Sequence, residues 1–416
     1  MLPLPLLLVA VLPTIWIVDA SNGPGTNFTD LPAAVAAAVS GDTILVRAGT
    51  YSVLNVSGKA LTIRGADWGA TVVTASAQNI IQQVPAGSHF YLSGMVFLPS
   101  NPSNFSGWPG LEISGSTTEV VLADVTAVCA NAYFLSNATG GPGLYVSGGA
   151  VVHAARCSFT GGGGGMQGQN GHGAVVNGGC RLAADASMFV APPSNPGDPF
   201  GHGGSGLLVF GTATLSRSSA YGGPGFFGGA GIAVISGFAR VTGTSADSLV
   251  GSLAYPGLEG QGLSVGQNGS AIVHGNVTLG PPGFGFTGPV AFDPVPLPYL
   301  SVAGSTTPGG EFAPGQPVTI TFDGAIPSAP FVCIVDVAPG FSTALALVAV
   351  GELLLPPPTF YAIQGTLDAV GHSQSTITPA VAVPGLTGIP LHAQFGAYDA
   401  VAGKFRLSNG YIRIFQ

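Results

Sequence analysis

Apolar and polar residues alternate along most of this chain in short runs, the period of half-buried β-strands, and Gly, Pro and Asn separate the runs. The runs also repeat. Six segments carry a Gly followed by an apolar-x-Val/Ile triplet, at Leu111, Leu144, Ala174, Leu207, Ile232 and Leu263, spaced 33, 30, 33, 25 and 31 residues apart. Behind each triplet come a Gly-containing turn and a second alternating stretch, such as AVVHAARCSF or CRLAADASMF. A loose Gly/Pro/Asn-rich loop then returns to the next triplet. Three short strands per repeat cannot close a core alone, but stacked they bury one continuous apolar column. The pattern predicts an all-β chain built on a right-handed parallel β-helix. A propeller ranks second, because it needs about 40–50 residues per repeat.

A solenoid exposes its first strand edge unless something covers it. Residues 28–51, FTDLPAAVAAAVSGDTILVRAGTY, supply a short capping helix. Thr29 or Asp30 is its N-cap and Pro32 sits in the first turn. Leu31, Val35 and Val39 share one face, and Gly41 ends the helix. WIVDA, residues 16–20, already reads as strand. Before it, residues 2–18 are nearly all apolar, too few for the ~20 residues of a spanning helix and broken by three prolines. They read as a secretory signal peptide over about 1–14, or else as a buried first strand. No other segment is a transmembrane candidate. The β-helix with its cap then covers 15–298, the last part as linker or final cap. Residues 299–416 change character: PVTITF, PFVCIVDV, ALALVAVGELLL and YIRIF alternate between Pro/Gly turns and predict a small β-sandwich.

Composition narrows the function. Only 7% of the 416 residues are charged, against about 25% in an ordinary domain. With 66 Gly and 34 Pro the chain would be a candidate for disorder, but 46% of it is hydrophobic, enough to bury a core. A net charge of −8 with 10 basic residues argues against nucleic acid as a partner. Cys129, Cys157, Cys180 and Cys333 form no CxxC and give no metal spacing. They are either buried thiols or, between neighbouring turns, one disulfide.

Two constellations carry candidate chemistry. Aligning the second stretch of each repeat places Asp124, Arg156, Asp185 and Arg217 at equivalent positions, about 4.8 Å apart in a parallel stack. They predict an acid–base ladder, either a structural row of ion pairs or the floor of a polar binding groove. The long Gly-rich loops at 160–173, 191–206 and 222–231 carry His172, Asp198 and His202 together with Phe200, Phe226 and Phe227. His and Asp on neighbouring turns are the residue types that act as acid and base or hold a metal. The plainer expectation is solvated loops. No metal or other cofactor is expected from the motifs.

The run from Phe28 to Tyr51, Phe-Thr-Asp-Leu-x-x-Ala-Val…Gly-Asp-Thr-Ile-x-Val-x-x-Gly-x-Tyr, resembles the opening of secreted right-handed β-helix proteins of the pectin-lyase-like superfamily. WIVDASNGPGTNFTDLPAAVAAA is similar to exported repeat proteins of planctomycete-type bacteria. The resemblance implies export and fold. Polygalacturonase-like activity would require N-T-D, D-D, G-H-G and R-I-K in order, and only Gly171-His172-Gly173 matches. Pectate-lyase-like activity would require a Ca²⁺ site and a basic groove, and this chain has two lysines, Lys59 and Lys404. The leading expectation is therefore an exported, non-catalytic cell-surface or extracellular β-helix protein, structural or adhesive, contacting polysaccharide or cell-envelope components. The alternative is a polysaccharide lyase or glycoside hydrolase with an atypical site at His172, Asp198 and His202. Only the lyase version calls for Ca²⁺.

Overall fold

A computed structural model describes residues 13–280 except 67–68, 75–76, 99–106, 130–138, 165–167, 194–201, 226–227, 244–247, 252–259 and 276. Beyond 280 it describes 288–293, 295, 297, 299–304, 318–324, 326–336, 349–350, 361–377, 390–408 and 411–414. The first part is a right-handed parallel β-helix. Each of the six predicted triplets opens a strand, as in Leu111–Ser114, Leu144–Ser147 and Leu207–Val209, and these pair in parallel as a first face. The stretches behind them, such as Glu119–Ala123, Val151–Ala155 and Arg181–Asp185, stack as a second face. Short strands such as Thr126–Val128 and Ser158–Thr160 make a third, nine-stranded face. In Ile232–Gly243 and Leu263–Gly275 one strand runs through the first corner into the second face, with a bulge at Val234/Ser236.

Alternation decides what lies inside. Leu111, Ile113, Val120, Leu122 and Ala127 point into one continuous core, and so do their counterparts on each turn. Phe159 stacks on Phe189 inside the third face, with centroids 5.6 Å apart. Where the second face bends into the third, Gly94, Asp124, Arg156, Ala186 and Arg217 take positive φ, one per turn. Just inside that bend the column Cys157, Ser187, Ser218 satisfies its own backbone. Cys157 N–H donates to Ser187 Oγ and Ser187 N–H to Ser218 Oγ, both at 3.1 Å. All four cysteines are buried free thiols.

The opposite corner, between third and first faces, is made of glycine. A Cβ on Gly171 would lie 2.0 Å from Gly141 O, one on Gly204 2.1 Å from Gly171 O, one on Gly229 1.8 Å from Gly204 O, and one on Gly260 1.9 Å from Gly229 O. Each turn lays bare backbone on the bare backbone of the turn before. The glycines that precede the triplets behave alike, with Gly173 and Gly206 as much in contact with the next carbonyl. This packing is the physical reason for the Gly in the repeat.

The N-terminal cap forms largely as expected. Ile15–Val18 pairs with Thr43–Val46, and the helix Leu31–Ala37 packs over these strands. Asp30 is the N-cap; its Oδ1 accepts from Leu31 N–H at 2.8 Å. The helix stops at Ala37, short of Gly41, and Val39 lies beyond it, 56% exposed, off the buried face. The reason is tertiary: Lys59 Nζ donates to the carbonyls of Val35, Ala36 and Ala38 at 2.7, 3.1 and 2.7 Å, ending the helix from outside.

Part of the stretch read as linker is the last turn of the solenoid: Val290–Asp293 pairs in parallel with Leu263–Gly275. The C-terminal module has two sheets, antiparallel except where Ala349–Val350 pairs in parallel with Lys404–Leu407. Phe322, Phe331 and Phe395 meet in its core, with centroids 4.8 to 5.5 Å apart. Of ALALVAVGELLL only Ala349–Val350 falls among the described residues.

Candidate functional site

The predicted ladder exists as two bidentate ion pairs. Arg156 donates from Nε and Nη2 to Asp124 Oδ1 and Oδ2, both at 2.7 Å. Arg217 donates from Nε to Asp185 Oδ1 at 3.1 Å, and its Nη2 meets Oδ2. The equivalence needs one correction. Asp124, Arg156 and Arg217 occupy the positive-φ position, but on the intervening turn Ala186 does, and Asp185 ends the strand before it. Asp185 is consequently buried at 5% exposure, whereas the Asp124 side chain is 25% exposed. The pairs run along the edge shared by the second and third faces.

The loop patch is assembled only in part. Asp198, Phe200, Phe226 and Phe227 lie outside the described residues. Gln169 bridges His202, and Ser205 N–H donates to His172 Nδ1 at 2.9 Å. His202 thus sits opposite Gln169, three residues before His172. Burial pushes the His172 pKa down to about 4, so its ring is neutral near pH 7, with Nδ1 as acceptor. His202 is exposed.

The densest titratable cluster lies elsewhere, on the outer side of the second face. Glu119 Oε1 is 3.2 Å from His153 Nε2, and Oε2 is 3.3 Å from His89 Nε2. The His89 ring lies 6.0 Å from that of Tyr91. Burial raises the Glu119 pKa, but hydrogen bonds from His153 and His89 outweigh it and hold the carboxyl at about 2. Burial and the Glu119 charge both push the Tyr91 phenol up. The sequence carried a signal: Val120 pairs with Phe90, so His89 and Glu119 share a column, and Val121 pairs with His153 in the next. A single carboxylate between two imidazoles lacks the second carboxylate that glycoside hydrolysis uses.

Glu119→Gln tests this cluster. The folded pKa is below the ordinary 4.5, so the carboxylate's contribution is complete above that value and is lost as pH falls toward about 2. The variant is expected to be about 1–3 kcal/mol less stable at pH 7, with the gap closing below pH 4 in urea titrations followed by circular dichroism. A gap independent of pH would show that the His contacts do not hold the charge.

The second face offers little open surface. Its outward residues Val121, Ala155, Asp185, Thr214, Thr242 and His274 are buried, and the column Glu119, Val151, Arg181, Thr212 and Phe238 is half-exposed. Over the first turns Arg47 and Arg64 line a hollow with Ile17 and Leu45, and Asp19 already holds Arg47 at 2.9 Å. The first and third faces are different: their outward side chains are mostly half-exposed. Among those described, Glu112 is the only charged one, and it is paired with Gln78.

Among the described residues no three or more His, Cys, Asp or Glu side chains converge to hold a metal ion, and no helix is long and apolar enough to cross a membrane. Comparison of the sequence with family models and with characterised proteins, and of the fold with solved structures, finds no match.

Proposed function

We propose that this chain is an exported, non-catalytic β-helix protein of pectin-lyase-like type, structural or adhesive, that works outside the cell or at its surface and contacts polysaccharide or cell-envelope components. The observation that carries this reading is the distribution of charge. Many of the solenoid's ionisable groups pair with one another, as in Asp124–Arg156, Asp185–Arg217 and Glu119 with its histidines. Two faces are left half-exposed and nearly uncharged. Such faces suit adhesion better than turnover, because acid–base catalysis needs titratable groups aimed at a substrate. The offset of His172 from His202 weighs the same way.

The test is to incubate the purified chain with neutral and acidic polysaccharides, with and without Ca²⁺. Reducing ends, the absorbance of unsaturated uronides and retention on the insoluble substrates are followed together. Retention without product is expected. Product that disappears in His172→Ala or His202→Ala would replace this reading with the lyase or hydrolase one.

A further inference from the structure

The third face differs from the first in one respect: none of its described outward side chains is charged, whereas the first carries Glu112. Its outward side chains form two columns in register. One runs Val96, Thr126, Ser158, Met188, Ser219 and Ser248, and the other Val128, Thr160, Val190, Tyr221 and Val250. None is charged, although the chain carries a net charge of −8. Ser248 Oγ–H donates to Tyr221 Oη at 3.2 Å and pins the phenol. Strands 4.8 Å apart make the array flat and about 25–30 Å long. Among the described residues it has one polar border, the Asp124–Arg156 and Asp185–Arg217 pairs, and one where glycine backbone is stacked on glycine backbone.

Resting on the adhesive reading above, we infer that this face is the contact surface and that its occupant is an extended, uncharged polysaccharide. Three features select that chemistry. With no charge to offer, the face gains nothing from an anionic or cationic partner, and a charged one would lose hydration there without compensation. Hydroxyl and apolar side chains are mixed along both columns, as on a sugar chain whose edges carry hydroxyls and whose ring faces carry C–H. Tyr221 supplies an oriented aromatic ring for one such face. Size separates this occupant from a second copy of the chain. Two columns over this length cover on the order of 300 Å², well short of the roughly 800 Å² per partner of a stable protein interface. A single polysaccharide strand needs only a long, narrow track.

Retention on microcrystalline cellulose, chitin, insoluble β-1,3-glucan and, as the anionic solid, cross-linked polygalacturonate tests the inference. The variants are Thr160→Lys, Ser219→Glu and Tyr221→Ala on the third face, with Ser147→Lys on the first face as control. Circular dichroism establishes that each is folded, and sedimentation gives its mass. At least a tenfold loss of retention in the third-face variants, with the control unchanged, is expected. Wild-type retention that survives all three substitutions, or is lost in the control instead, would overturn this site and leave the adhesive reading standing. No wild-type retention on any of the solids would overturn both. A wild-type dimer that the third-face variants dissociate would make the occupant a second copy, and binding only to polygalacturonate would make it anionic; each overturns the inference.

Discussion

Gly204→Ala is expected to destabilise the solenoid by about 3 kcal/mol or more. The added methyl would sit 2.1 Å from the carbonyl oxygen of Gly171, with the Asn170 carbonyl close by. These are backbone atoms, so no side chain can turn aside, and two turns must part. Parting them breaks neighbouring bonds such as Asn170 N–H to His202 O at 3.0 Å and Gly173 N–H to Ser205 O at 3.1 Å. Gly178→Ala is the control: nothing lies within 4 Å of its Cβ position, and it should leave stability unchanged within about 0.5 kcal/mol. Denaturant midpoints by circular dichroism compare the two. Equal midpoints would mean that the glycine corner is not close-packed.

Arg406→Met is expected to release the C-terminal module from the solenoid at a cost of about 3–5 kcal/mol. Arg406 is 5% exposed and binds groups from both parts. Its Nη1 donates to Asp293 Oδ2, on the last solenoid turn, at 2.7 Å, and its Nε donates to Asp399 Oδ2 at 2.8 Å. Removing the guanidinium leaves two carboxylates and His274, itself held down to about 4 by burial, with one cation fewer at the junction. Burial opposes ionisation of Asp293 and Asp399, but Arg406 and backbone N–H groups hold both below the ordinary carboxylate range. Their contribution is therefore present at neutral pH and is lost as pH falls below about 4. Faster proteolytic separation of the two parts is the expected readout. A cleavage rate equal to wild type would show that the module is held by something other than this arginine.

The fold was legible where local chemistry and stacking agree. A Gly before each triplet is needed because its missing Cβ faces the next turn's carbonyl, so the strand starts could be found without coordinates. The helix start at Asp30 is likewise local. Its end is not, because Lys59, more than twenty residues away, supplies the donors. The ion pairs were legible to within one residue; which residue takes the left-handed turn, Ala186 or Asp185, depends on the strand's length. The Glu119 cluster stayed hidden because His153 enters from the column next to that of Glu119, a diagonal that appears only once the register is known. His372–Ile377 was missed for another reason: HSQSTI is polar on nearly every position and has no apolar alternation to read.

The central claim is adhesion through uncharged surface without turnover. Its most direct measurement is retention of the wild-type chain on an insoluble neutral polysaccharide at low and at high salt, with reducing ends followed in the same samples. Equal retention at both salt concentrations and a flat reducing-end signal are expected, since salt screens only charged contacts. Retention that collapses at high salt, or reducing ends that rise with time, would contradict the claim.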